Sequence, residues 1–259
     1  PDATGHFDWL GSIVIVLAVG GLAFGTIRGQ QRGWGDPVAL TSLFIGAVAA
    51  IAFPLVFGSP VVTNYAIYAL IFVAVVTAWN MFSGFSGYIS LGQAVFFGSG
   101  AYAVGIAAKA WHINGVGVFA LLPLAAAVGA VIAVPFGLIA LRVRRHTFIV
   151  ITIAVFFIFQ LMAFNFSFTG GSVGVSAPFL PWSPTTFNDR FYYITLACAV
   201  VAIVMAVLVR RSRFGLQLRA IRDDEDRARG LGVRTMRVKL VAFVLSATVA
   251  GLVGGVWFL

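Results

Sequence analysis

Acidic side chains are scarce in this sequence. There are eight in 259 residues (Asp2, Asp8, Asp36, Asp189, Asp223, Asp224, Glu225 and Asp226), and all fall in loops or tails between apolar runs. Carboxylates buried in membrane spans mark proton relays and cation pathways. Their absence argues against a proton- or sodium-coupled carrier and against a cation channel with a carboxylate ring. Lysine is rarer still: Lys109 and Lys239 are the only two, and neither follows a glycine-rich phosphate cradle, so no Walker loop is present. His6, His112 and His146 are too scattered to form a metal cluster. The one cysteine, Cys198, lies in Y-Y-I-T-L-A-C-A-V-V, cannot form an internal disulfide, and reads as a small buried hydrophobe. With no paired carboxylates and no nucleophile–base set in the apolar segments, no catalysis is expected of this chain, and no cofactor or metal.

What fills the sequence instead is hydrocarbon. Hydrophobic residues make up 61% and charged residues 10%, against about 25% charged in soluble domains. The chain is expected to be an all-α polytopic membrane protein. Eight runs are long enough to cross a bilayer: Trp9–Ile27, Val38–Phe57, Val61–Phe82, Tyr88–Ala108, Val116–Leu141, Thr147–Phe166, Phe191–Val209 and Val238–Phe258. The sequence starts on Pro1, so its natural start is expected to lie upstream. The first run has its arginines behind it rather than ahead, the reverse of a cleavable signal peptide, which predicts a retained helix with the N-terminus outside.

Alternating the loops across the bilayer tests that orientation. With the N-terminus outside, Arg28, Arg32, Arg142, Arg144, Arg145 and the ten basic residues from Arg210 to Lys239 fall inside, and only Lys109 and Arg190 fall outside. Fifteen of seventeen positive charges on one side is the positive-inside bias. It also explains the net charge of +9 without nucleic acid as a partner.

The largest inside loop is R-R-S-R-F-G-L-Q-L-R-A-I-R-D-D-E-D-R-A-R-G-L-G-V-R-T-M-R-V-K-L. Phe214, Leu218, Ile221, Ala228 and Leu231 recur at helical steps among arginines. Asp223–Asp226 are placed to cap and start a second short helix, and Gly232 to stop it. Taken alone, the pattern fits either a basic amphipathic segment on anionic lipid or a ridge that docks in a partner's groove. G-S-G-A-Y-A-V-G at 98–105 superficially matches a dinucleotide fingerprint, but no strand precedes it, and small-residue helix packing is the preferred reading.

Three stretches, in order, carry a resemblance over roughly residues 62–259: W-N-M-F-S-G-F-S-G-Y-I-S-L-G-Q-A-V-F-F-G-S-G-A-Y, then T-G-G-S-V-G-V at Thr169–Val175, then the arginine-rich loop followed by K-L-V-A-F-V-L-S-A-T-V-A-G-L-V-G-G. Together they resemble branched-chain amino-acid importer permeases of the LivM type, within the bacterial ABC importers. D-R-A-x-x-x-G, Asp226 to Gly232, resembles the family's E-A-A-x-x-x-G coupling loop in degenerate form. The resemblance implies accessory helices at 1–60 and a permease core at 61–259 with its coupling loop at 210–237. It also implies a second, LivH-like permease subunit, two cytoplasmic ABC ATPases that bind the ATP, an extracytoplasmic substrate-binding protein and the lipid of a bacterial plasma membrane. ATPase coupling is expected of Leu218, Arg219, Ile221, Arg222, Glu225, Asp226, Ala228, Leu231 and Gly232. Two departures stand out: Phe157 and Gln160 occupy positions where the family often has Glu and Arg after the Thr corresponding to Thr152, and family members usually continue through at least two further helices, so the C-terminal end is expected to be missing.

S-G-F-S-G-Y-I-S-L-G-Q-A, Ser83 to Ala94, puts glycines, serines and a glutamine between two greasy runs. Irregular backbone at membrane depth is tolerated where protein buries it or where it lines a wet cavity. Asn80, Ser83, Ser86, Ser90, Gln93, Thr152, Gln160, Thr169, Gly170 and Gly171 are therefore candidates for a path that passes a zwitterion. The competing reading is plain helix packing, with the serines bonded back to their own carbonyls. For function, an importer for urea or short amides, a small-solute channel without an ATPase and a non-transporting scaffold remain alternatives.

Overall fold

A computed structural model describes residues 35–56, 60–178, 180–182 and 184–259, with positions 13, 20–22, 24, 25, 27–29 and 31–33. Among the described residues, nine α-helices follow from Pro37 onward: α1 Pro37–Val56, α2 Pro60–Ser86, α3 Gln93–Ala110, α4 Leu122–Ala140, α5 Arg145–Asn165, α6 Pro184–Arg211, α7 Arg213–Asp223, α8 Glu225–Gly230 and α9 Thr235–Phe258. Short 3-10 turns at Gly115–Leu121 and Ser167–Thr169 complete the list, with no strand among the described residues.

The protein is an all-α polytopic membrane protein. Among the described residues, six helical stretches are long and apolar enough to span a bilayer: Pro37–Pro54, Pro60–Ser86, Gly115–Ala140, Arg145–Asn165, Phe187–Arg211 and Thr235–Phe258. They correspond to six of the eight expected segments. The expected Trp9–Ile27 segment falls largely outside the described residues. The expected Tyr88–Ala108 segment starts late, because Tyr88–Leu91 are non-helical; the helix that follows, α3, is 18 residues long and carries Lys109 in its last turn. Helix α6 is longer than its apolar run and takes in Asp189 and Arg190, so the expectation that every carboxylate lies outside the spans fails at Asp189.

Two compact units are present, Pro1–Val73 with Trp182–Ala199, and Ala74–Pro181 with Val200–Leu259. In the first, a proline is accommodated by a hydroxyl. Pro54 lies inside α1 and has no N–H to offer the carbonyl of Ala50 four residues earlier. The Tyr192 hydroxyl donates to that carbonyl at 2.6 Å, with its ring stacked on Phe53 at 5.7 Å. In lipid such a freed carbonyl has no water to turn to, so a neighbouring helix supplies the donor.

The second unit is organised around α9, which packs most extensively on α4 and α3. Phe243 of α9 is fully buried and meets Phe82 of α2 (4.9 Å), Phe96 of α3 (5.2 Å), Phe136 of α4 (5.4 Å) and Phe148 of α5 (6.2 Å). Further along α9, glycines let backbones touch. A Cβ on Gly251 would lie 2.6 Å from the Ala125 carbonyl oxygen, and one on Gly129 of α4 would lie 2.6 Å from the Ala247 carbonyl oxygen. Cβ atoms on Gly100 or Gly254 would collide with the carbonyls of Gly251 and Phe97. Between membrane helices, where lipid and leucine are equally apolar, such close approach replaces the hydrophobic effect as the source of affinity. The glycines at 98–105 take part unequally: Gly100 and Gly105 face neighbours, and Gly98 faces open space.

Candidate functional site

The stretch from Ser83 to Gln93 is a linker that ends α2 and starts α3. Gly87 has φ +73°, a left-handed conformation that turns the chain away from α2. Beyond it the backbone polar groups are satisfied by side chains. Ser86 Oγ donates to the Phe82 carbonyl at 2.7 Å and accepts from Tyr88 N at 3.2 Å. Ser83 Oγ accepts from Ser90 N at 3.1 Å, and Trp79 Nε1 donates to the Ser90 carbonyl at 2.7 Å. Thr152 Oγ1 of α5 accepts from Leu91 N at 3.2 Å while donating to the Ile149 carbonyl at 2.8 Å. Gln93 Nε2 donates to Ser246 Oγ at 2.9 Å, and Ser246 Oγ donates to the Ala78 carbonyl at 2.6 Å. Ser83, Ser86, Ser90, Gln93 and Thr152 are all buried. The side chain of Asn80, on α2, lies against Gly84. The side chains of Ser83, Ser86, Gln93 and Thr152 thus bond to the linker or its neighbours, while the buried Ser90 Oγ has no hydrogen-bond partner.

At the same end of the helices, three arginine- and acid-bearing segments converge. The ammonium of Lys239, the fifth residue of α9, is 2.7 Å from Glu225 Oε1 and donates to Tyr88 Oη at 3.1 Å. Tyr88 Oη donates to Glu225 Oε2 at 2.5 Å, and Lys239 Nζ sits 4.3 Å from the Tyr88 ring centre. Arg145, at the start of α5, donates to the carbonyls of Ile221 and Arg222 at 2.7 Å each, satisfying the open C-terminal end of α7. Arg222 Nη1 in turn donates to the Gly84 carbonyl at 2.9 Å. The α7–α8 hairpin is thus tied to the linker, to α5 and to α9. Burial alone would raise the Glu225 carboxyl, but the bonds from Lys239 and Tyr88 outweigh it and hold the group below its ordinary value of 4.5. The Tyr88 phenol is pushed above its ordinary 10.0 by burial and then by the Glu225 carboxylate. A charged cavity of about 790 Å³ opens here, lined by Arg142, Arg144, Asp223 and Asp226 among others.

Helix α8 is capped at both ends as its sequence implies. Asp224 Oδ1 accepts from Asp226 N and Arg227 N, both at 3.0 Å. At the other end Gly232 N bonds to the Arg229 carbonyl and Val233 N to the Ala228 carbonyl, with Gly232 at φ +87°. That pair of bonds is a Schellman motif. The expected apolar ridge is corrected by the structure. Leu218, Ile221 and Ala228 are buried in the chain's own fold, because α7 and α8 pack back on α9; Leu231 alone stands out, 85% exposed. Arg219, Arg222, Asp226 and Gly232 are exposed as well, whereas Glu225 is turned inward.

The remaining path candidates lie elsewhere. Gln160 and Thr169 line a groove of about 690 Å³ between α3, α4 and α5, together with Ser99, Tyr102, Trp111 and Phe156. Its walls are predominantly apolar. Thr169 Oγ1 is occupied with the Ala163 and Phe166 carbonyls, while the Gln160 side chain is exposed. Gly170 and Gly171, both at positive φ, form the turn beside Thr169.

A sequence model of the family described as branched-chain amino acid transport system / permease component matches residues 61–259. The chain belongs to this family. Among curated proteins it is similar to the high-affinity branched-chain amino acid transport system permease protein LivM of Salmonella typhimurium and to that of Escherichia coli, 27% identical to each over 237 residues, covering 80% of this chain. The chain spans about half the length of these relatives, 54%. No solved structure matches it significantly.

For a member of this permease family, the side chains that sequence reasoning passed over are Tyr88, Arg145, Lys239 and Ser246. Lys239 reads in the sequence as one more loop cation, because its carboxylate partner is fourteen residues away across two helix ends. Its isolation was nonetheless a signal. It is a lysine among arginines, followed at once by the apolar run that α9 buries. Ser246, mid-span in α9, accepts from Gln93 of α3.

Proposed function

We propose that this chain is a transmembrane permease subunit of an ATP-driven importer for branched-chain or other hydrophobic amino acids. It forms half of the translocation path with a second, LivH-like permease, takes substrate from an extracytoplasmic binding protein, and docks one of two cytoplasmic ATPases on α8. The N-terminus faces outside a bacterial plasma membrane, and residues 1–60 add accessory helices to a core at 61–259. ATP is bound by the ATPases, not by this chain.

The observation that carries this reading is the way the hairpin is held. Its tip, Leu231 with Gly232, projects to solvent, while Arg145, Arg222 and the Tyr88–Glu225–Lys239 cluster fasten its base to α2, α5 and α9. A partner that pulls the tip moves the linker between α2 and α3 with it. That is the mechanical link by which ATPase closure is converted into alternating access. The largely apolar groove with Gln160 at its wall suits an aliphatic side chain better than urea, and so supports the amino-acid reading over the amide one. Substrate moves along that wall, and the buried serines of the linker keep the hinge in register.

Replacing Gly232 with valine tests the docking role. Positive φ disfavours a β-branched residue there, so the Schellman cap and the tip are lost while the membrane spans are untouched. In the reconstituted importer, substrate-stimulated ATP hydrolysis and uptake are expected to drop to the unstimulated level, with normal insertion. Unimpaired stimulation in G232V would overturn the assignment of α8.

A further inference from the structure

The elbow between α6 and α7 gathers positive charge that forms no ion pair among the described residues. Ser212 caps α7 by accepting from Gly215 N at 3.2 Å, and Gly215 is pressed on the last carbonyls of α6, where a Cβ would lie 2.8 Å from the Arg210 oxygen. This close turn brings Arg219 back over Arg210: Arg219 Nη2 donates to the Arg210 carbonyl at 3.2 Å, and the two guanidinium charges lie close enough to repel. Arg210 Nη1 is buried and has no hydrogen-bond partner. A buried guanidinium N–H left unmade, beside a second guanidinium, is expensive unless an anion completes the pair. Among the described residues Arg210, Arg211, Arg213 and Arg219 make no ion pair; Glu225 is engaged with Lys239 and Asp224 with Arg227 and the α8 cap, while Asp223, one turn beyond Arg219 on α7, is exposed and makes no ion pair with it.

The surroundings identify the anion's source. The elbow terminates a 25-residue apolar span, and Leu208 of α6 and Leu216 of α7 are each 59% exposed beside the arginines. Exposed leucine next to exposed arginine at the end of a span is the chemistry of the headgroup boundary, with acyl chain on one side and phosphate on the other. A soluble anion would use the arginines and leave the leucines in water. We propose that Arg210 and Arg219 clamp the phosphate of an anionic lipid of the arginine-rich leaflet, with Leu208 and Leu216 against its acyl chains. This requires only that the chain sits in a membrane and is independent of the importer reading.

Native mass spectrometry of the purified full chain, delipidated in detergent and titrated with phosphatidylglycerol, phosphatidylcholine or inorganic phosphate, tests it. Phosphatidylglycerol is expected to be retained in preference to phosphatidylcholine. R219Q should weaken retention about fivefold, and R210Q/R219Q roughly 25-fold, as expected for two juxtamembrane cations on an anionic lipid. R234Q/R237Q, which removes the same charge elsewhere in the loop, should leave it unchanged. R219Q alone serves if the double variant does not fold, because its guanidinium is on the outer face. Equal losses in both double variants would overturn the proposal in favour of diffuse attraction, and displacement of the lipid by inorganic phosphate would overturn it in favour of a free-anion site. Failure of phosphatidylglycerol to outlast phosphatidylcholine would overturn it outright.

Discussion

At Lys239 a primary ammonium, 3% exposed, sits one turn inside a membrane helix. Glu225 faces it at 2.7 Å, and the Tyr88 hydroxyl and ring complete its surroundings. Removing one member of such a buried pair strands the other, which typically costs about 3–5 kcal/mol. Glu225→Ala is therefore expected to lower thermal stability by an amount in that range, read by unfolding of the detergent-solubilised chain. The pH dependence follows from the sign of the shift. The Glu225 carboxyl is held below 4.5 in the fold, so its contribution is complete above 4.5 and disappears as pH falls through the lowered native value. The Tyr88 phenol is raised above 10.0, so its contribution is complete below 10.0 and is lost only as pH rises through the raised value. Stability from this cluster should be flat between those limits, and Glu225→Gln should abolish the acid limb. An unchanged acid limb in E225Q would show that the carboxyl carries none of it.

Between elements, the seam of α9 against α3 and α4 sets how close the backbones come. Gly254→Ala would drive a methyl into the Phe97 carbonyl, whereas Gly98→Ala meets nothing within 4 Å. Overpacking of this kind typically costs about 1–3 kcal/mol, so G254A should unfold markedly earlier than wild type and G98A should match it; equal behaviour of the two would contradict the seam. The packing of Gly100 and Gly105 was readable from the sequence, though Gly98 in the same stretch meets nothing, as were the caps of α8, since Asp224 and Gly232 work by local rules. The tasks of Ser83, Thr152 and Gln93 were not, because polar groups beside a glycine-rich turn look alike whether they face substrate or satisfy backbone; only their partners, Ser90 N, Leu91 N and Ser246 Oγ, distinguish the two. The inward turn of Leu218, Ile221 and Ala228 was hidden for a related reason. Helical spacing reports that a face is apolar and not whether the chain itself covers it.

For the whole molecule, Tyr88, Arg145, Asp223–Asp226 and Lys239, distant in sequence, line one cavity. Family membership was legible in three ordered motifs, while six rather than eight spans stand among the described residues, the short α3 reflecting the non-helical stretch ahead of it. The central claim is that α8 is where an ATP-hydrolysing partner takes hold. The direct measurement is photo-crosslinking in the assembled importer, with a photo-reactive residue replacing Leu231 at the exposed tip and, separately, Leu216 on the outer face of α7. The expected product at 231 is a covalent adduct with the ATPase subunit that position 216 does not give. An adduct of position 231 with lipid or with nothing, in an importer still hydrolysing ATP, would contradict the claim.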